Sequence, residues 1–351
     1  MDRLTFTSGA ATLTGTNTIF LNDIGSFGAG TFTLISAASG LSGGTWALNT
    51  GLAPTGFTYS LSSNATALTL TAAVSNNDAF WTGSGGTSWT ATNFGTNATA
   101  AATIAGSSLN ATRDVRFAAT GAGNLTTTLG GNYTINTLTV STPGVSIGGA
   151  NTLTANASSA TAFNVSAANG TTVISANLAG ANAGLTKSGA GALTLNGTNT
   201  YGGGLTLSAG TLNLNSATAP GNGTLTITGG TIDNTSGGTV TLSNNNAQNW
   251  NGDFAFTGTN NLHMGNGTVT LGASRSVTVN GGTLTVGGAI SGSSLGLTKL
   301  GAGNLTLSGN NTYTGTTTIS AGTLQFARTG SLYNGTAASW TAANKIGRAH
   351  V

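Results

Sequence analysis

Cysteine is absent from the 351 residues, which excludes disulfide staples, thiolate metal centres and cysteine nucleophiles. Glutamate is absent too, so all six acidic residues are aspartate. Charged residues make up only 4% of the chain, against about 25% in an ordinary soluble domain. The pI near 9.5 therefore reflects nine Lys and Arg against six Asp, a net +3 spread over the whole length. Nucleic-acid binding needs several clustered phosphate contacts. The densest charge group, Arg113, Asp114 and Arg116, partly cancels itself, so no nucleic-acid partner is expected. Proline occurs three times, at Pro54, Pro143 and Pro220, each best accommodated in a turn. No apolar run approaches the roughly 18 residues of a transmembrane helix. Residues 1–15 lack the basic and apolar segments of a signal peptide.

Glycine, Asn, Thr and Ser stand where the charges are missing. The 57 glycines each cost a helix interior roughly 1 kcal/mol relative to alanine, which argues against long helices. Disorder is disfavoured as well, because disordered chains combine low hydrophobicity with high net charge. Here the apolar fraction is 38% and mean hydropathy is +0.13. The apolar residues are also regularly placed, in a recurring triplet of apolar, small polar, apolar. Examples are Leu138-Thr139-Val140, Leu193-Thr194-Leu195, Leu205-Thr206-Leu207, Leu225-Thr226-Ile227, Val277-Thr278-Val279 and Leu305-Thr306-Leu307. A period of two turns Leu, Ile and Val to one face and Thr to the other. Gly-, Asn- and Ser-rich turns bring such strands back about every 8–12 residues.

Two segments align without a gap. Residues 184–214 and 296–326 share about two-thirds of their positions at a fixed offset of 112. A weaker echo links Ser88-Trp89-Thr90-Ala91 to Ser339-Trp340-Thr341-Ala342. Short strands of this kind cannot each close a private core, but stacked coil upon coil they share one. At roughly 20–25 residues per coil and ~4.8 Å per strand, the whole chain would make a rod about 65–85 Å long. Stacking also explains the shortage of charge, since like charges placed opposite each other in neighbouring strands are destabilising. Asn can instead hydrogen-bond along the axis as a ladder, and glycine supplies positive φ at coil corners.

With Lys187 and Lys299, and Tyr201 and Tyr313, at equivalent places, the two segments resemble the autotransporter-associated β-strand repeat. The first copy departs mildly at Gly203-Gly204-Leu205-Thr206-Leu207. The resemblance implies an all-β fold, a right-handed parallel β-helix (β-solenoid), here a fragment without barrel or caps. It implies an extracellular or cell-surface passenger whose outer-membrane barrel lies elsewhere in the full-length protein or is absent. The expected organisation is 1–78 as the end of a preceding solenoid unit, 79–344 as the repeat region, and 345–351 as a non-native tail. That tail, through Ile346-Gly347-Arg348-Ala349-His350-Val351, matches the translation of a common sequencing adapter, and the chain is expected to continue natively after about Asn344. Uncapped ends would expose open strand edges and favour end-to-end association.

Chemistry is sparse. His263 is expected to face solvent between inward-turned Leu262 and Met264, and His350 lies in the suspect tail. Neither a nucleophile-elbow motif nor a calcium loop is present. Glycine runs such as Gly83-Ser84-Gly85-Gly86 and Gly189-Ala190-Gly191 lack the following helix of a phosphate cradle. No cofactor, metal or catalytic residue is expected. The leading reading is a non-enzymatic stalk that displays or spaces surface functions, with host or environmental surface glycans or proteins as partners. Two alternatives stay open. Coil stacking could converge some of Asp2, Asp23, Asp78, Asp114, Asp233 and Asp253 into a polysaccharide-cleaving site. Trp81 and Trp89, flanking a glycine turn, could form a sugar-stacking surface, with packing at a coil corner or unit boundary as the other reading for both.

Overall fold

The structure is a computed structural model describing residues 4–5, 16–22, 30–39, 41, 45–52, 57–74, 77–96, 103–104, 106, 109–119, 121–328 and 331. Pro54, Trp340, His350 and the tail 345–351 lie outside the described residues. Every element among them is a strand or a turn, with no α-helix. The chain divides after Asp78 into two compact units.

The first unit holds two small sheets. Gly30–Ser36 pairs parallel with Leu4–Thr5 and antiparallel with Ala67–Val74, which in turn pairs antiparallel with Phe57–Ser63. Thr16–Asn22 and Thr45–Leu52 form a parallel pair. Period-two alternation buries Leu68, Leu70 and Ala72 and turns Thr69 and Thr71 outward. Asn64 builds the turn into Ala67–Val74, its Oδ1 accepting the N–H groups of Thr66 (2.9 Å) and Ala67 (2.7 Å), the local bond that makes Asn a turn residue.

The second unit is a parallel β-solenoid. Successive strands visit three faces in rotation, termed sheets A, B and C. In sheet A, Asp114–Phe117 is followed by Thr137–Val140, Phe163–Val165, Leu185–Lys187, Leu205–Leu207, Leu225–Ile227, Gln248–Trp250, Val269–Leu271 and Ile290–Ser291. Sheet B stacks ten strands from Thr126–Thr128 to Thr317–Ile319. Sheet C comprises three strands from Tyr133–Ile135 to Asn177–Ala179 and five from Val240–Thr241 to Thr323–Phe326. Between those two sets, residues 196–203 and 215–222 cross the third face as turns and loops. Ten strands spaced about 4.8 Å give sheet B a length of roughly 43 Å. That is shorter than the whole-chain estimate because parallel coils begin only at Asp114.

Register runs straight up each face. Leu185, Leu205, Leu225, Gln248, Val269 and Ile290 lie one above the next in sheet A. Beside them Thr186, Thr206, Thr226, Asn249, Thr270 and Ser291 form the outward column. The sheet A triplets do what their alternation requires, outer members buried and middle members turned out, whereas in sheet B Thr194 is buried, its hydroxyl accepting from Asn213 at 2.8 Å. A one-residue slip would reverse this for a whole strand.

The two repeats occupy different faces. In the first, Leu185–Lys187 lies in sheet A and Ala192–Leu195 in sheet B. In the second, Leu297–Leu300 lies in sheet B and Asn304–Leu307 in sheet C. The 112-residue offset thus equals five coils plus one face, and a single sequence module folds alike on any side of the prism.

The N-terminal end of this unit departs from the parallel stack. Sheet A continues beyond Asp114–Phe117 into Asp78–Trp81, Phe94–Gly95 and Thr103–Ile104, the last three joined antiparallel. Trp81, Trp89 and Phe94, all fully buried, close the interior of the first coil. No apolar triplet marks this segment, which is why the sequence does not announce it.

The register yields a paired expectation. Leu205→Ala should cost about 2–5 kcal/mol, as a buried aliphatic truncation does. Thr206→Ala, one residue along but outward, should stay within about 0.5 kcal/mol. Denaturant midpoints of the two variants measure the difference, and equal losses would contradict the assigned faces.

Candidate functional site

Trp81 and Trp89 come together, with ring centroids 6.3 Å apart. Both are buried, and their rings are taken by neighbours. Trp81 stacks on Phe117 at 5.6 Å, Phe94 meets both indoles edge-on, and Tyr133 lies 5.8 Å from Trp89. Their N–H groups are also engaged, Trp81 donating to the Gly123 carbonyl (3.1 Å) and Trp89 to the Thr127 hydroxyl (3.0 Å). Sugar stacking needs a free indole face, and neither residue offers one. The geometry corrects that expectation in favour of packing at the end of the coil stack.

Three of the described aspartates bond to the following coil. Asp114 accepts from Asn136 (2.9 Å) and the Thr137 hydroxyl (2.6 Å). Asp233 accepts from the Thr259 amide (3.0 Å) and hydroxyl (2.6 Å). Asp253 accepts from the Ser276 amide (2.9 Å) and lies 3.7 Å from the Arg275 guanidinium. Asp78 is buried, at 2% exposure, and Asp2 and Asp23 lie outside the described residues. Among the described residues no three of His, Asp or Glu gather into a cation site. His263 is half-buried between inward-facing Leu262 and Met264. Its Nδ1 accepts the Gly265 N–H at 3.0 Å, and burial pulls its pKa below the usual imidazole value.

What the structure does bring together is a pair of interior clamps, one in each repeat. Strand alternation turns Lys187 and Lys299 inward to full burial. The Lys299 ammonium donates to the carbonyls of Leu300 (2.8 Å) and Gly301 (2.7 Å), and to Ala321 of the next coil (3.1 Å). Lys187 donates to the carbonyl of Gly189 and to Ala209 of the next coil (3.1 Å). Those carbonyls converge on the ammonium because the corners are glycine. Gly210 and Gly322 have φ of +71° and +67°, and a Cβ on either would collide with the carbonyl oxygens of the coil beneath. Burial lowers both lysines from 10.5 to about 8.

Twelve residues after each lysine stands a buried asparagine. Asn199 Oδ1 accepts the Leu178 N–H of the preceding coil (2.9 Å), while its Nδ2 donates to the Ala219 carbonyl of the following one (2.8 Å). Asn311 repeats this with Ile290 (2.9 Å) and Ser331 (2.6 Å). Each asparagine thus ties three coils together at a face where the backbone does not form a strand. Tyr201 and Tyr313 fill the interior two residues further on. The Tyr201 hydroxyl reaches the Ala219 carbonyl at 3.4 Å, and the Tyr313 hydroxyl meets Thr317 at 2.7 Å. Burial raises the Tyr201 pKa far above the ordinary phenol value. In the sequence the only signal for the clamps is a lysine and an asparagine recurring at equal spacing in a chain nearly devoid of charge.

The family match falls on these same clamps. Residues 185–214 and 297–326 match the passenger-associated-transport-repeat family. Over 96 residues, 27% of this chain, the sequence is 42% identical to the adhesin BmaC autotransporter of Brucella suis biovar 1 (strain 1330). The match covers only 3% of that relative's length. No solved structure matches. Sequence module and fold agree: the two segments that match this repeat family both lie on the parallel β-solenoid.

Proposed function

We propose that this region works without catalysis, as a stiff stalk at the cell surface that spaces and presents adhesive contacts. Its repeats and its autotransporter relative make it a surface protein associated with the outer membrane. The observation that carries the stalk reading is the clamp: a side chain in each repeat bonds to the coils on both sides, so bending the stack would break interior hydrogen bonds as well as the backbone ladder. Asp114, Asp233 and Asp253 support the same reading, since each is spent on the coil above it rather than on a shared catalytic cleft. Binding is directed at exposed glycans or proteins of a host or environmental surface, in keeping with the adhesin name of the relative.

Three tests bear on this. In the full-length protein, replacing residues 113–328 with a flexible Gly/Ser linker of equal residue number should abolish adhesion of the bacteria while surface display stays unchanged. Adhesion at the original level would rule out a rigid spacer. The clamp itself is tested by Asn199→Ala, which strands the Leu178 N–H and the Ala219 carbonyl in the interior. Each unsatisfied group costs about 1–3 kcal/mol, so a loss of roughly 2–6 kcal/mol is expected in denaturant unfolding, against little for Asn304→Ala, whose side chain is exposed.

The lysines set a pH dependence. Their pKa is about 8 in the folded chain and 10.5 unfolded, so between those values the unfolded chain binds more protons and stability rises with pH. Above about pH 10 buried Tyr201, its pKa raised, acts in the opposite sense. The denaturant midpoint should therefore climb from pH 8 to pH 9.5, and a Lys187→Met, Lys299→Met double variant should flatten that climb.

A further inference from the structure

Six Asn-Gly pairs lie among the described residues, at Asn169, Asn196, Asn222, Asn251, Asn266 and Asn280. An asparagine before glycine is the arrangement most open to attack by the following backbone nitrogen on its own side-chain amide, because glycine has no Cβ to obstruct the approach. All six side chains are exposed on the solenoid, yet they are not equally held. Asn196 Oδ1 accepts from Asn215 (3.1 Å) and its Nδ2 donates to the Ser175 hydroxyl (3.0 Å). Asn222 donates to the Thr200 carbonyl (3.0 Å) and accepts from Asn244 (3.0 Å). The side chain of Asn251 has no such bond, but the Gly252 N–H that would attack it is bound to the Ile227 carbonyl at 3.0 Å. At Asn169, Asn266 and Asn280 neither restraint exists: no hydrogen bond holds the side-chain amide, and none holds the N–H of Gly170, Gly267 or Gly281.

We propose that the solenoid carries three spontaneous modification sites, Asn169, Asn266 and Asn280, which convert to aspartate or isoaspartate while the other three pairs are protected by the coil-to-coil bonds. The glycine nitrogen forms a bond to the asparagine Cγ, the Cγ–NH2 bond breaks, and ammonia leaves. Water then opens the five-membered imide at one of its two carbonyls, giving a carboxylate in either case. No oxidant or metal takes part. Each event adds one negative charge, so three would carry the net charge from +3 to zero. They place carboxylates on a surface whose stacked columns otherwise avoid charge. The exposed, neutral stalk surface would thereby change with age without loss of the interior clamps.

The test is peptide mapping by mass spectrometry of the whole folded chain, aged at mildly alkaline pH and sampled over time, with isoaspartate detection. Asn169, Asn266 and Asn280 should convert at least about fivefold faster than Asn196, Asn222 and Asn251, the factor that the net worth of one hydrogen bond sustains. The same chain aged in strong denaturant should lose that distinction and convert all six at similar rates. Equal rates in the folded chain would overturn the proposal. So would the same ordering in denaturant, which would trace the selectivity to neighbouring sequence rather than to the fold.

Discussion

The solenoid depends on one constraint: every coil must satisfy its hydrogen bonds with the coil above and the coil below. A strand of three or four residues has no partner within its own coil. Its N–H and C=O groups find partners only when the next coil arrives in register, and buried backbone groups left unpaired are costly. The ladder in sheets A, B and C meets this demand where the chain is extended. At corners and along the third face of the middle coils it is not extended, and side chains take over. Asn199 and Asn311 supply both a donor and an acceptor from one amide, which is what bridging two coils at once requires.

The same constraint accounts for the lysines. A tight corner turns several carbonyls inward, and an inward carbonyl needs a donor. Lysine brings up to three N–H bonds on a long apolar stem that can lie along the core. Burying an ammonium is expensive, and the cost shows in the lowered pKa. The carbonyls around it offset that cost locally, so the repeat tolerates a charge in the one place where the turn geometry demands it. Glycine at Gly210 and Gly322 completes the arrangement, since any Cβ there would close the space the carbonyls need.

Axial stacking also explains where polar residues of other kinds went. An aspartate on one coil meets the residue one coil on, and in this chain that residue is a hydroxyl, an amide or an N–H: Asn136 and Thr137 for Asp114, Thr259 for Asp233, Ser276 for Asp253. Carboxylates far apart in sequence do converge through stacking in some solenoids, but only when they share a column. Here Asp114, Asp233 and Asp253 occupy different ones. Trp81 and Trp89 likewise serve the interior, where two indoles, two phenylalanines and a tyrosine pack together.

The apolar triplets, the repeats and the scarcity of charge sufficed, read as sequence, for a parallel solenoid with Leu, Ile and Val inside and Thr outside, because period-two alternation and the penalty for stacking like charges are local rules. The buried asparagines and the reach of the lysines were not legible in the same way, since each bonds to residues about 20 positions distant that only coil closure brings near. The same holds for the burial of Trp81 and Trp89: an indole beside a glycine turn looks exposed until the fold decides what covers it. Which face a repeat occupies is tertiary as well, because it follows from the summed length of the intervening coils, while the module's own sequence suits any face equally.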